Sequence, residues 1–289
     1  MTSFGRLVRV TVRTRLDPAK RESNGRFFNA YRRTTRVRDL RVQFSVEKTL
    51  DKSSNTARIV ITNLSADSRA EFQSKPAHIT LEAGYTGGLK VLYKGDITHA
   101  RSYREGPEWL TEVVCGTGAL AALNARSSFS FGKGTSKKEM LKRLAADIGL
   151  SLPTSVKEGK EFVKTLSSGK AISGLSLNSI QKVIGVKFKV SIQDDTLVIL
   201  DENGVRNSIG IRIAQDTGMI GTPALGTPED DDGKPVLTAK TLLNADLQAG
   251  GYAQLRTGTL NGDYKVFKST HIGDTHGQEW YTTIEGKSI

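Results

Sequence analysis

A period of two constrains this chain more than any other feature. Apolar and polar residues alternate over short runs through the first 115 residues and again in the last third, with glycine turns between the runs. That is the signature of strands with one buried and one solvated face. Residues 6–16 (RLVRVTVRTRL) set Leu7, Val8, Val10 and Val12 among arginines and threonines. Residues 17–26 (DPAKRESNGR) are turn chemistry, with Asn24-Gly25 as a hairpin tip. Arg36 to Glu47 alternates through Val37, Leu40, Val42, Phe44 and Val46, and Ala57–Asn63 is a β-branched run. Ser65 then caps a short helical turn over Ser65–Phe72. Further strands are predicted at His78–Ala83, Leu89–Ile97 and Trp109–Cys115, and their spacing implies an antiparallel barrel or sandwich.

The middle of the chain changes period. Ser136-Lys-Lys-Glu139 is a capping box, followed by Met140, Leu141, Leu144, Ala145 and Ile148 at helical spacing and Gly149 as the stop. A second helix is predicted over Ser176–Ile184, ending at Gly185. A hairpin follows: Lys187–Ile192, an Asp194-Asp195 turn, and Thr196–Leu200. Residues 126–200 therefore read as an α+β unit between two β regions. Beyond it, strands are expected at Ser208–Ala214, Val236–Leu243, Tyr252–Thr257, Tyr264–His271 and Glu279–Glu285. Residues 222–235 (TPALGTPEDDDGKP) read as a surface loop. No short-period repeat is visible, although two β regions flanking an insert permit a diverged duplication.

Composition narrows the class. Of 289 residues 37% are hydrophobic, and 29 glycines bring the apolar share to about 47%, enough for a core and too much for a disordered chain. No run of 18 apolar residues predicts a membrane helix. The first residues carry arginines inside their apolar run and no small-residue cleavage site, unlike a secretory signal. The single Cys115 excludes an internal disulfide and a multi-cysteine metal site, and fits a reducing compartment. The net charge is +12, but residues 1–50 hold 13 Lys/Arg against 4 Asp/Glu, leaving +3 for the rest. Such a segment attracts phosphate or an acidic partner, or serves as a solubilising arm. No zinc-finger spacing, helix-turn-helix or aromatic stacking platform accompanies it.

Catalytic motifs are sparse. Asp216-Thr217-Gly218 matches the aspartic-protease triplet, but that chemistry needs two such carboxylates and the chain has one. His271-x-x-Asp274-x-His276 offers two imidazoles and a carboxylate to a metal, yet Gly273 and Gly277 give it turn composition, with Asp274 as a cap and His276 on the surface. Cys115 follows Val113-Val114 in an apolar strand and reads as a core thiol. Lys170 lacks the glycine and hydroxyl residue of a phosphate loop, and Gly132-Lys133-Gly134-Thr135 is a helix entry where an anion would fit. No serine sits in G-x-S-x-G. No catalytic, cofactor-binding or metal residue is assigned, and no cofactor is expected.

Four stretches carry a resemblance. They are residues 40–72 (LRVQFSVEKTLDKSSNTARIVITNLSADSRAEF), 79–102 (ITLEAGYTGGLKVLYKGDITHARS), 216–223 (DTGMIGTP), and the ending, 242–251 with 264–287. In this order and spacing they resemble the baseplate hub proteins of contractile-tailed bacteriophages. The resemblance implies a mainly β fold with an α+β insert: two small β-barrel-like tube domains flanking a helix-containing segment. The divisions would be 1–125, 126–205 and 206–289. It further implies a homotrimer that adapts the hexameric tail tube protein to the trimeric central spike protein, touching other baseplate proteins and the tape measure protein, with DNA passing through its channel. Such a protein is structural and belongs to the virion, assembled in the host cytoplasm. Phe27, Phe28 and Tyr31 would suit an interface, and Arg32, Arg33, Arg36 and Arg38 would dock on a neighbouring baseplate or tube protein. The competing readings are a tail tube or tube-initiator protein, a basic nucleic-acid-binding protein, and a peptidase or wall hydrolase using Asp216 or the His271/His276 pair.

Overall fold

The computed structural model describes residues 5–15, 31–50, 55–74, 77–117, 125–150, 152–153, 160–201, 204–206, 209–226, 235–258 and 260–289. The Asn24-Gly25 tip, Phe27, Phe28 and the aspartates at 230–232 lie outside these residues. The first β region contains β1 (Arg6–Arg15), β2 (Tyr31–Val37), β3 (Val42–Thr49), β4 (Thr56–Thr62), helix α1 (Ala66–Gln73), β5 (Ala77–Tyr85), β6 (Gly88–Glu105) and β7 (Glu108–Gly116). The insert contains β8 (Arg126–Phe131), α2 (Lys137–Asp147), a 3-10 turn (Lys160–Val163), β9 (Lys170–Leu175), α3 (Ser176–Ile184), β10 (Phe188–Gln193) and β11 (Thr196–Asp201). The last region contains β12 (Ile211–Ile213), a 3-10 turn (Gln215–Thr217), β13 (Met219–Gly226), β14 (Val236–Leu242), β15 (Tyr252–Arg256), β16 (Asn261–Asp274) and β17 (Trp280–Ser288).

The alternation does what it predicts. In β3, Val42, Phe44 and Val46 face inward while Ser45 and Glu47 face out. The helices also follow their signals: Ser65 accepts from the Ser68 N–H, Ser136 accepts from the Glu139 N–H, and Gly185 closes α3 at φ 87°. Among the described residues three apolar clusters result. One gathers β1 to β7 and takes in Trp280. A second fills the insert around Leu141, Leu144 and Ile180. A third gathers Ile213, Leu237, Leu255, Val266 and Ile284.

The structure departs from the sequence reading at several places. The run Arg36–Glu47 is two strands, broken at Asp39 in the left-handed region (φ 59°), a conformation that aspartate tolerates. The three-residue step from Val37 to Leu40 had already broken the alternation. Residues 222–226 of the expected loop belong to β13. Pro223 fits there because it lies in the irregular stretch between Ile220 and Ala224, where no ladder bond needs its missing N–H. β6 runs on to Glu105, far past Ile97, because its distal half is exposed and leaves no apolar signal. The pair β8–β9 has too few apolar positions to read as strands.

The two β regions share one 13-stranded sheet, in the order β13-β14-β17-β16-β3-β4-β7-β6-β5-β1-β2, with β15 and β12 attached at β16. Within that sheet one pairing plan occurs twice. In the first region β3–β4, β5–β6 and β6–β7 are antiparallel neighbours and β4 pairs with β7. In the last region β13–β14, β15–β16 and β16–β17 are neighbours and β14 pairs with β17. The registers correspond residue by residue. Leu110–Gly116 face Thr62–Thr56 as Tyr281–Lys287 face Leu242–Val236. Trp109 and Trp280 therefore hold equivalent places, as do Thr111 and Thr282, and Val113 and Ile284. The short signature Glu-Trp-x-Thr-x-Val/Ile marks both copies (EWLTEV, EWYTTI). The Asn63 N–H donates to the Trp109 carbonyl at 2.7 Å, and the Leu243 N–H repeats this with Trp280 at 3.2 Å.

Candidate functional site

The two repeats meet where Lys268–Asp274 of β16 pair with Thr49–Gln43 of β3. A bulge between Val266 and Lys268 makes this possible. Buried residues fall on Tyr264 and Val266 before it and on Ser269, His271 and Gly273 after it, so the same face stays inward along a 14-residue strand. Gly273 permits the closest approach in the joint. A Cβ there would stand 2.3 Å from the Phe44 ring and 2.9 Å from the Trp280 ring. Trp280 packs edge-on to Phe44 and Tyr85, with Arg6 stacked 5.4 Å from its centre. Arg6 also donates to the carbonyls of Asp274, Gly277 and Gln278, which fixes the loop that follows β16.

Asp274 organises that loop from within. Its carboxylate accepts from Arg41 at 3.2 and 2.8 Å, from Gln43 at 3.2 Å, and from the His276 N–H at 2.9 Å. Burial works to raise its pKa, but these donors, Arg41 foremost, prevail and hold it at about 2. His271 lies on the other side of the arrangement. It is fully buried, and its Nδ1 is 2.9 Å from the Thr282 hydroxyl. Burial, assisted by the charge of Lys48, lowers its pKa to about 3, so it is neutral.

The insert is fastened to the joint by the tip of its β10–β11 hairpin. Asp194 and Asp195 both adopt positive φ (50° and 62°), the geometry of a two-residue hairpin turn. The tip enters the first repeat. Lys48, 1% exposed, donates to Asp194 Oδ2 at 2.6 Å, and the Lys94 N–H donates to Oδ1 at 2.9 Å. His78 Nε2 lies 2.8 Å from Asp195. Asn55 donates to the Ile192 carbonyl, and Arg206 links Gln193 to Gln248 of the last region. Burial lowers the Lys48 pKa against the opposing pull of Asp194. Sequence reading found the Asp194-Asp195 turn but not this cluster, because its members are far apart in the chain and each is ordinary alone.

The motifs singled out in the sequence are dispersed. Asp216 is exposed in a 3-10 turn and pairs with Arg212 at 3.1 Å. His271 faces the interior, His276 is exposed, and the Asp274 oxygens are occupied by Arg41 and Gln43, so the three do not converge as ligands. Among the described residues no group of three His, Cys, Asp or Glu side chains is placed to hold a metal ion. Cys115 is buried in β7, and burial raises its pKa. Lys170 is exposed at the start of β9. Gly132–Thr135 line a shallow depression with Glu139 and Arg143. Of the basic segment, Arg33 pairs with Glu71 at 2.9 Å, while Arg36 and Arg38 are exposed. Among the described residues no helix is long and apolar enough to cross a membrane.

Comparison with known proteins agrees with this frame. A family model described as baseplate hub gp41 matches residues 27–286. No curated protein sequence matches the chain. A tail protein from Neisseria meningitidis MC58 is similar over 97% of this chain and 96% of its own, with a TM-score of 0.62 at 11% identity. The 43 kDa tail protein of prophage MuSo2 from Shewanella oneidensis is similar over 98% and 96%, with a TM-score of 0.59 at 8% identity. A type VI secretion system component from E. coli is similar over 87% and 74%, with a TM-score of 0.55 at 11% identity.

Proposed function

Because the chain belongs to the baseplate hub gp41 family, we propose that three copies form a ring that adapts a six-fold tail tube to a three-fold central spike around a channel for DNA. The observation that carries this reading is the pairing plan that occurs twice in one sheet. Three chains of two similar units present six similar units to a tube, while keeping three of everything else for a spike. In this reading the units are a first tube domain over 1–125, an insert over 126–205 and a second tube domain over 206–289. The role is structural, without bond-breaking chemistry. The polar groups of the joint are engaged in holding repeats and insert together, as Asp274 with Arg41 and Lys48 with Asp194 illustrate.

The partners in this reading are the tail tube protein, the central spike protein and other baseplate proteins of a contractile tail, assembled in the host cytoplasm. The exposed Arg36 and Arg38 supply a basic edge for one of these neighbours. The test is rotational averaging of end-on images of purified baseplates. Three-fold hub density with six similar lobes supports the adapter. A hub layer with strict six-fold symmetry would instead favour a tube or tube-initiator protein.

A further inference from the structure

Among the described residues, the two strands of the joint inside the chain each have a counterpart in the other repeat. β16 is long because its distal half, Lys268–Asp274, takes β3 as an extra neighbour. Its counterpart β6 is long in the same way. Paired against β7 and β17, Lys268 corresponds to His99, His271 to Ser102, and Asp274 to Glu105. Even the contacts correspond: Ser102 Oγ lies 3.1 Å from Thr111 Oγ1, where His271 Nδ1 lies 2.9 Å from Thr282 Oγ1. Yet among the described residues no strand pairs with the outer edge of His99–Glu105, because the pairing of β6 with β5 ends at Asp96, opposite His78.

The matching strand is also present. β13 is the counterpart of β3: against β14 and β4, Met219 corresponds to Val42, Ile220 to Gln43, Leu225 to Val46, and Gly226 to Glu47. β3 is covered by β16, and Val46 is 0% exposed. Among the described residues β13 ends the sheet, and Leu225 is 46% exposed, with Ile220 and Leu242 of the same hairpin also exposed. A strand edge with an open ladder and uncovered apolar residues is a template for another strand.

We infer that β13 of a second copy of this chain pairs antiparallel with His99–Glu105 of the first, in the register that sets Leu225 opposite Ser102 and Ile220 opposite Glu105. Each chain offers one edge of each kind. The contact is therefore heterologous and closes only as a ring. Leu225 takes the place at this joint that Val46 holds against His271 within the chain. The inference rests on the three-copy reading and adds to it the strands and the register.

The test uses full-length chain in purified tail particles. Ser102→Cys and Leu225→Cys are combined and treated with a short bifunctional thiol crosslinker. The native Cys115 is buried and stays unreactive. Bands of two and three chains from the double variant, and none from either single variant, are expected. Particles that hold three copies per hub but give no crosslink overturn the joint and leave the trimer standing. Particles with another copy number overturn both. Leu225→Glu gives an independent reading, since the exposed site tolerates charge in the free chain: a folded protein that fails to enter particles is expected, and normal incorporation overturns the joint.

Discussion

Trp280 meets Phe44 edge-on across the joint between the repeats, with ring centres 5.6 Å apart and planes at 70°. One ring belongs to β17 and the other to β3, and Gly273 of β16 lies against both. The contact makes the aromatic core of the first repeat partly the property of the second.

Gly273→Ala should therefore loosen the joint. The added methyl has no room between two rings, and overpacking of this kind costs about 1–3 kcal/mol. Trp280→Ala should cost more, about 3–5 kcal/mol, as a buried aromatic truncation. Trp109 holds the equivalent position but lies half-exposed beneath Arg69 and Arg104, so Trp109→Ala should cost clearly less in the isolated chain. Urea unfolding of the three variants checks the order; equal losses for both tryptophans would contradict it.

The buried pair Lys48–Asp194 should be costly to break and cheap to replace. Lys48→Met leaves Asp194 without its main partner, and Asp194→Asn leaves a buried ammonium. Each should cost about 3 kcal/mol or more. The double variant Lys48→Met, Asp194→Asn removes both charges, keeps the stem volume of Lys48, and retains a residue that accepts positive φ. It should recover most of the loss. A double variant whose loss equals the sum of the singles would show that the hairpin tip is not held by this pair.

Acid should destabilise the protein in two windows. His271 is kept near 3 by burial against an ordinary value of 6.5. As the pH falls below 6.5 the unfolded chain takes up a proton that the native chain refuses, and stability drops by up to about 1.4 kcal/mol per pH unit. Asp274 has an ordinary value of 3.8 and is held at about 2. Its contribution is present above 3.8 and is lost as the pH falls toward 2. His271→Gln should flatten the stability profile between pH 6.5 and 4 while leaving the loss below pH 4. Denaturation midpoints measured across that range decide the matter, and an unchanged slope in the variant would contradict the account.

The exposed arginines of the basic edge should matter for assembly and not for folding. Arg36→Glu with Arg38→Glu should leave the unfolding midpoint unchanged, since both side chains are exposed. Incorporation into baseplates should fall. Arg33 is a poorer choice because it is paired with Glu71, and reversing its charge would set two carboxylates together. Normal baseplates from the double reversal would remove the docking role.

Much of the fold was legible because its signals are local. Val42, Phe44 and Val46 alternate; Ser65 and Ser136 cap; Asp194-Asp195 turns a hairpin. What escaped was non-local or weakly buried. β13 and the distal half of β6 are exposed strands, and an exposed strand writes no alternation into the sequence. The shared sheet depends on β16 pairing with β3, more than two hundred residues away in the chain. The duplication left a trace in EWLTEV and EWYTTI, but six residues gain meaning only when the pairing plan around Trp109 and Trp280 is seen to repeat. The His271/Asp274/His276 spacing offered metal ligands beside the preferred turn reading, because sequence cannot show that Arg41, distant in the chain, neutralises Asp274.

The most direct test of the whole account is the number of copies of this chain in one purified tail particle, obtained by quantitative mass spectrometry against an isotope-labelled standard or by native mass. Two repeats per chain matched to a six-fold tube require three copies. Six copies, or one, would contradict it.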